Sequence, residues 1–393
     1  MRIIAIVSVG LLLIVASASA HSFGHIVIIV QENRTPDNLF GAAGLPGADV
    51  VVNTAKGAAI TLAKGPVLGH GHKEFLLESA GKMPKGAYDY VTGDAQPYWD
   101  LAAQYGFANY MYQTNQGASF PAHQFLISGT SAPSDTSDLF VSDDSGKGYG
   151  CNAPAGSLVP TIAPDGSYGK IFPCFQRSSL IDLLGAAGLT WRYYSAVALW
   201  NAPNALESYY QSKNLVLRPT KVLSDIANGT LANVNWVTPA GSYSDHPRDG
   251  DGGPAWVASI VNAIGKSAYW NNTAIIVTWD DWGGWADHVP PLKNSTGWCT
   301  VYCYGFRVPL LVISAQTPTG YVDNGVHDFG SILRFVEANF GLSKIGPGGW
   351  ADSYADNLSG FFSGGAALRK FVPIKARRLT KRELADHSEP DSD

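Results

Sequence analysis

Charge is scarce in this chain. Lys, Arg, Asp and Glu make up 15% of its 393 residues, against roughly a quarter in ordinary soluble domains. Acidic residues outnumber basic ones, 32 to 27, for a formal net charge of −5. No basic face of the kind a nucleic acid requires is therefore expected. Cysteine occurs only 4 times, too seldom for a scaffold stapled by disulfides. Beyond the N-terminal segment, no stretch approaches the roughly 18 uninterrupted apolar residues of a membrane helix. The P-loop, HExxH and GxSxG patterns are all missing, which leaves kinases, zincins and α/β-hydrolase esterases without local support. What is present is core material: 46% apolar residues, 11 Trp and 43 Gly. Whole-chain disorder is excluded, and the length allows one large α/β domain or two ordinary ones.

The N-terminus, MRIIAIVSVGLLLIVASASA, places one Arg before a short apolar core and ends in Ala18-Ser19-Ala20. It resembles a secretory signal cleaved after Ala20, with no twin-Arg pair, so an exported product without an integral membrane segment is expected. Export makes the cysteines interpretable. Four cysteines allow three connectivities, and the local one, Cys151–Cys174 with Cys299–Cys303, is expected. A four-thiolate metal site fits neither the spacing nor an oxidising compartment. Residues 375–393 mix equal numbers of basic and acidic side chains with little to bury. They are read as a solvated, disordered tail, and residues 21–374 as a single domain.

HIVIIVQEN (25–33) is a continuous β-branched run ending in polar residues, the pattern of a strand buried on both faces. AIIVTWDD (274–281), RVPLLVIS (307–314) and NVNWVTPA (233–240) are further strand candidates. Helical patterns at 178–188, 254–267 and 330–341 alternate with them. The alternation predicts an α/β fold, a three-layer α/β/α sandwich with a largely parallel central sheet. The Gly/Ser/Asp/Pro-rich stretch from Ser131 to Pro173 reads as an excursion closed by the first cysteine pair.

Two of these strands end in acids. Glu32 and Asn33 follow the first, and Asp280 and Asp281 follow another. If both strands are parallel, the four side chains meet at the rim where open α/β sheets bind ligands. Adjacent acids need a positive charge between them, and a hard divalent cation supplies one. Each pair alone reads equally as strand-end caps or turn residues. In GASFPAHQFLISGT (117–130), Ser119 stands at a loop-to-helix junction. It is either an ordinary N-cap or a nucleophile near helix-terminal amides that favour an anion.

These segments together resemble a known family. HIVIIVQENRTPDNLFG and TWDDWGGWADHVPP (278–291) look like the two signatures of the bacterial phospholipase C and acid phosphatase phosphoesterases. SFPAHQFLISGT resembles the nucleophile segment of the wider alkaline-phosphatase superfamily, with Ala122 where that family has Asn. SDHP (244–247), GFRVPLLVIS (305–314) and the segment from His327 also match, in order, across most of the chain. The resemblance implies an alkaline-phosphatase-like fold and an exported metal-dependent hydrolase of phosphate esters, acid phosphatase-like. The alternatives are a phospholipase C that releases phosphorylated head groups, or a non-catalytic exported phosphate-binding protein. The substrate is a small phosphate ester or a phospholipid. It further implies Glu32, Asn33, Ser119, Asp280 and Asp281 as ligands of one or two divalent cations, and Ser119 as nucleophile. His246 stands as the proton donor near the transferred phosphoryl group. His70, or His72 in its place, and His288 are further site histidines, unless His288 is a turn histidine bonded to a backbone carbonyl. His327 braces the site from outside. His123 is read as a buried residue that fixes its helix, and His25 as structural. Phospholipase C members often carry a twin-Arg signal and added β-domains, which this sequence does not display. Trp282 and Trp285, beside the acids, could meet a bilayer or wall a pocket for a choline-like cation.

Overall fold

The computed structural model describes residues 23–144, 148–196, 199–293, 301–362 and 367–388. The expected signal segment and Cys299 lie outside the described residues. Eight strands form the main sheet: β1 (His25–Gln31), β2 (Gly106–Tyr112), β3 (Trp191–Tyr194), β4 (Leu215–Val216), β5 (Val234–Val237), β6 (Thr273–Trp279), β7 (Leu310–Ile313) and β8 (Tyr321–Asp328). Their order is β8-β2-β7-β6-β1-β5-β3-β4. β7 runs antiparallel to both of its neighbours, and every other adjacent pair is parallel. The C-terminal ends of the other seven strands therefore share one rim.

β1 and β6 are central and covered on both faces. All seven residues of β6 are buried, as are the last six of β1. That is why they read as unbroken apolar runs rather than as alternating patterns. The helices are α1 (Pro36–Phe40), α2 (His72–Ser79), α3 (Gln96–Gln104), α4 (Ser119–Ser128), α5 (Leu180–Ala186), α6 (Lys221–Ala227), α7 (Gly253–Gly265) and α8 (Phe329–Phe340). α3, α7 and α6 pack on one another, and α4 packs on α8 and α5. Trp279 of β6 meets Tyr98 of α3 at 5.1 Å between ring centroids. Trp236 of β5 donates its indole N–H to the Leu126 carbonyl of α4 at 3.3 Å. The sheet is thus sandwiched between two helical layers, as the alternation of strands and helices predicts. Each fully buried Trp removes about 150–250 Å² from water, roughly 4–6 kcal/mol before entropic costs.

Strands β2 (GFANYMY) and β8 (YVDNGVHD) carry no clear strand pattern in the sequence. β2 admits polar residues because Asn109 holds the loop at 47–49, accepting from the Asp49 amide at 2.7 Å and donating to Gly47 O at 3.0 Å. β8 is polar because it is the sheet's edge. The excursion after Ser131 folds into a small antiparallel sheet of Phe140–Val141, Val159–Ile162 and Tyr168–Ile171. Cys151–Cys174 is formed there as expected.

Residues 375–388 of the C-terminal segment are mostly exposed yet held against the domain by hydrogen bonds, and 389–393 lie outside the described residues. The opposite charges pair with each other: Arg377 bonds Glu383 at 2.6 Å and Asp251 at 3.0 Å. Thr380 and Glu383 form a capping box for the short helix Lys381–Ala385.

Cys151 and Cys174 are separated by 23 residues. Replacing both by Ser is expected to lower unfolding stability by roughly 3 kcal/mol, the loop-closure value for a ring of this size. Urea denaturation of the two proteins measures it. An unchanged midpoint would show that the bridge constrains nothing the fold does not already fix.

Candidate active site

β1 and β6 are adjacent and in register, with Gln31 opposite Trp279. The residues that follow therefore stand side by side on the shared rim. Glu32, Asn33, Asp280 and Asp281 are all buried there, as is Ser119, the first residue of α4. Asp280 Oδ1 accepts from the amides of Asn33 (3.1 Å) and Asp281 (2.8 Å). Ser119 Oγ–H donates to Asp281 Oδ2 at 3.1 Å, and the Gly283 amide donates to Asp281 Oδ1 at 2.7 Å. The sequence-predicted ligands and nucleophile thus form one cluster. The Phe120 amide at the start of α4 is already taken by the carboxylate of Asp144 at 2.9 Å.

His123 belongs to this cluster, which corrects its reading as a helix-fixing residue. Its Nε2 lies 3.3 Å from Glu32 Oε1 and 3.6 Å from Asp280 Oδ2. One ligand atom from each of the three lies within 4.8 Å of the other two. The signal was in the sequence: Ser119 and His123 are four apart on one helix and so share a face.

The donor set suits a hard cation. Asn33 Oδ1 and Asp280 Oδ2 are buried oxygens that accept no hydrogen bond. Together with the Glu32 and Asp281 carboxylates they are the oxygen ligands such an ion takes. Asn33 is held at φ 60°, a left-handed conformation that costs of order 1 kcal/mol and clusters at functional sites. Gly283, at φ 62°, lets the second acidic turn approach it. A Cβ at that position would lie 2.5 Å from the Asn33 carbonyl oxygen.

His70 fixes which way the Asn33 amide faces. Its Nδ1–H must donate to the Leu68 carbonyl, 2.8 Å away, because a carbonyl only accepts. Nε2 then accepts from Asn33 Nδ2–H at 2.9 Å. Asn33 Oδ1 is thereby turned away from His70. His246 is buried beside His70, with ring centroids 6.3 Å apart. Its Nδ1–H donates to Pro247 O at 3.1 Å.

The loop that carries His246 is clamped by the residues flanking the first ligand pair. Gln31 accepts from the Asp245 amide at 3.1 Å and donates to Tyr243 O at 3.1 Å. Arg34, buried, donates to Asp245 O at 2.6 and 3.0 Å. Burial lowers the Arg34 guanidinium to about 10, against the attraction of Asp245. Burial raises the Asp245 carboxyl to about 6, opposed by Arg34 and by bonds from Tyr98 and Trp279. Sequence reasoning missed Gln31, Arg34 and Asp245. The available signal was a polar residue, Gln31, closing an otherwise apolar strand.

Several expected residues stand elsewhere. His72 begins α2, where Nδ1 bonds Gln116 O at 2.7 Å, so of the two candidates His70 alone joins the cluster. His288 is not bonded to a backbone carbonyl. It is held by the carboxylates of Asp37 (3.0 Å) and Asp49 (3.1 Å). Asp37, Asp287 and His288 form a separate group, already compensated by Arg307, which grips Asp287 with two bonds of 2.8 and 3.0 Å. His327 bonds Asp356 and Asp323 at the edge strand. His25 bonds Ala232 O, as a structural residue would. Trp282 and Trp285 are fully buried. Trp282 donates to Glu78 at 2.6 Å, and Trp285 lies under Arg34 at 5.2 Å, so neither can meet a bilayer. Burial lifts the Glu78 carboxyl to about 8, with the Trp282 bond and His70 opposing.

The profile of the Phosphoesterase family matches residues 71–343. The non-hemolytic phospholipase C of Pseudomonas aeruginosa is 25% identical over 86% of this chain and 57% of its own length. The hemolytic phospholipase C of the same organism is 25% identical over 72% and 44%. This chain thus spans about half the length of these two relatives. Phospholipase C B of Mycobacterium tuberculosis is 25% identical over 86% of this chain and 77% of its own. Among solved structures, an alkaline phosphatase superfamily protein from Vibrio parahaemolyticus aligns with a TM-score of 0.42 at 12% identity, over 87% of this chain and 71% of its own.

A cation bound by this cluster stabilises the folded state by mass action, about 2.7 kcal/mol at a hundredfold excess over its Kd. Adding magnesium, calcium, manganese or zinc one at a time to chelator-treated protein is expected to raise Tm with at least one of them. The rise should be lost in the Glu32→Gln/Asp280→Asn double variant. A rise that survives the double variant would place the ion elsewhere.

Proposed function

Since the chain belongs to the Phosphoesterase family, we propose that it is an exported, metal-dependent phosphoric ester hydrolase that works through a Ser119 phosphoenzyme. The observation that carries this reading is Ser119 Oγ at the start of α4, hydrogen-bonded to Asp281 within the buried acidic cluster. Glu32, Asn33, Asp280, Asp281 and Ser119 are the residues that would hold a divalent cation. When bound, such an ion supplies charge that favours the serine alkoxide and offsets the negative phosphoryl oxygens.

The protein's own groups define the rest. Asp281 orients the Ser119 hydroxyl toward the rim. Asn33, set by His70, keeps its carbonyl oxygen on the side of the acids. Ser119 Oγ passes its proton to Asp281 Oδ2, its hydrogen-bond acceptor, and forms a bond to phosphorus as the bond to the leaving oxygen breaks, while His246 gives that oxygen its proton. Water then attacks the phosphoserine and yields a proton to His246, and the serine oxygen departs and takes its proton back from Asp281. A monoester gives inorganic phosphate, and a phospholipid gives a phosphorylated head group. His70, expected as a second phosphoryl-side histidine, acts in this reading by orienting Asn33, and His288 has no part. Export is supported by the signal-like N-terminus and the Cys151–Cys174 bridge.

The named relatives, all phospholipases C, favour a second reading in which the ester is a phospholipid head group. The burial of Trp282 and Trp285 favours a small soluble ester instead.

Ser119→Ala is expected to lower turnover of a chromogenic phosphate monoester at least a thousandfold while leaving the circular dichroism spectrum unchanged. Retention of more than about a tenth of the rate, a barrier change under about 1.4 kcal/mol, would reject the serine as nucleophile. In the same assay, faster cleavage of phosphatidylcholine vesicles with release of phosphocholine would select the phospholipase reading.

A further inference from the structure

The C-terminal segment is a structural strap whose far end reaches the loop of His246. It starts near the N-terminal ends of the strands. There Arg369 donates to Gln104 O at 2.7 Å and Thr317 O at 2.9 Å, and its own carbonyl accepts from the Trp270 indole at 2.7 Å. It passes the C-terminal end of α7, where Ile374 and the Asn262 side chain exchange two hydrogen bonds of 2.9 Å. It ends at the N-terminal end of the same helix, a distance of roughly 20 Å for thirteen residues. At that end Asp386 Oδ2 accepts from the Ser242 amide at 2.9 Å, and the Asp386 carbonyl accepts from Tyr243 OH at 3.3 Å. Arg377 bonds Asp251 on the far side of the loop and Glu383 within the strap. Glu383 in turn abuts Gly252, where a Cβ would lie 2.9 Å from its carboxylate.

We propose that Asp386 is a positioning residue for His246, holding residues 242–246 from outside while Gln31 and Arg34 hold them from inside. The inference rests on His246 being the proton donor proposed above. The loop needs an outer hold because little of it is regular structure. Only Gly241–Tyr243 forms a 3₁₀ turn, and Arg248 sits at φ 74°, a left-handed conformation uncommon outside glycine. The Asp386 bonds fall on Ser242 and Tyr243, and Tyr243 O is also the acceptor for Gln31. The strap and the strand that ends at Gln31 thus grip the same residue, Tyr243, the strap at its hydroxyl and Gln31 at its carbonyl, three residues before His246. Two independent anchors on one short turn fix its position and the direction in which His246 Nε2 faces. The strap also links that turn to β6 through α7, so the proposed proton donor is referenced to a strand that carries the acids.

Leaving-group dependence tests this. A p-nitrophenyl ester departs without a proton, whereas an alkyl phosphate needs one. Because His246 also serves the dephosphorylation common to both esters, the comparison is made in kcat/KM, which reports steps up to phosphoserine formation. His246→Asn is expected to lose at least a hundredfold in kcat/KM on the alkyl ester and far less on the nitrophenyl ester. Asp386→Ala is expected to lose about tenfold in kcat/KM on the alkyl ester and little on the nitrophenyl ester, with no further loss when combined with His246→Asn. Asp386→Asn keeps an oxygen for the Ser242 amide and should restore most of the rate. Amide exchange at residues 242–246 should quicken about tenfold in Asp386→Ala and stay near wild type in Asp386→Asn. If His246→Asn loses equally on both esters, the proton-donor assignment fails, and the strap proposal with it. If His246→Asn discriminates but Asp386→Ala loses equally on both or on neither, or if exchange is unchanged, the strap proposal alone is overturned.

Discussion

Three buried carboxylates, Glu32, Asp280 and Asp281, meet at one end of two adjacent strands. Strands about 4.8 Å apart and in register leave them no room to separate. Two unit charges at that spacing repel by roughly 3 kcal/mol at an effective dielectric of about 20. The fold accepts this cost by surrounding the acids with donors. Two backbone amides serve one oxygen of Asp280, the Gly283 amide and the Ser119 hydroxyl serve Asp281, and the His123 ring faces Glu32 and Asp280. The left-handed Asn33 and the glycine packed on its carbonyl are consequences of bringing two acidic turns into contact. A cation bound there would complete the compensation that hydrogen bonds begin. The Asp37–Asp287–His288 group shows the other solution, in which Arg307 is built in.

The rim is assembled from distant parts of the chain, and its accuracy comes from the connections between them. Gln31 and Arg34 flank the first ligand pair and reach some two hundred residues along the chain to the loop of His246. His70 reaches back to Asn33. Arg34 is also sandwiched, with Trp285 on one side and Asp245 O at its guanidinium. These contacts tie the loop of His246 and the Asn33 amide to buried residues of the core. This is the support that a reactive geometry requires. At the strap's far end, Arg377 draws the Glu383 carboxyl down to about 2. Burial pushes Asp386 up, but bonds from Ser242 and Ser388 outweigh it and leave it at about 2 as well. Both carboxyls therefore lend stability that is complete above their ordinary range and lost as pH falls through about 4 towards 2. The rim stays braced across mildly acidic conditions.

Much of this was legible in the sequence because the physics was local. β1 and β6 announced themselves as β-branched runs, and taking them as parallel was enough to bring the polar pairs that end them together on one rim. Ser119 was legible from its place at a helix start. Long-range geometry was not. Nothing in SDHP says that its aspartate binds Tyr98 and Trp279 instead of substrate. Nothing in ADHV says that His288 turns to Asp37. His123 was misjudged although its spacing from Ser119 placed it correctly, because burial was taken to mean a structural role. The charged C-terminus read as disordered for want of apolar residues, since composition does not show that Arg377 and Asp386 bond to the domain.

Anomalous diffraction from crystals grown with manganese tests the central claim, that the buried acids of β1 and β6 hold a cation beside Ser119. The account predicts a strong peak with oxygens from at least three of Glu32, Asn33, Asp280 and Asp281 within about 2.0–2.6 Å, a coordination range for hard cations. A peak at Asp37, Asp287 and His288 instead, or none at the rim at saturating manganese, would contradict it.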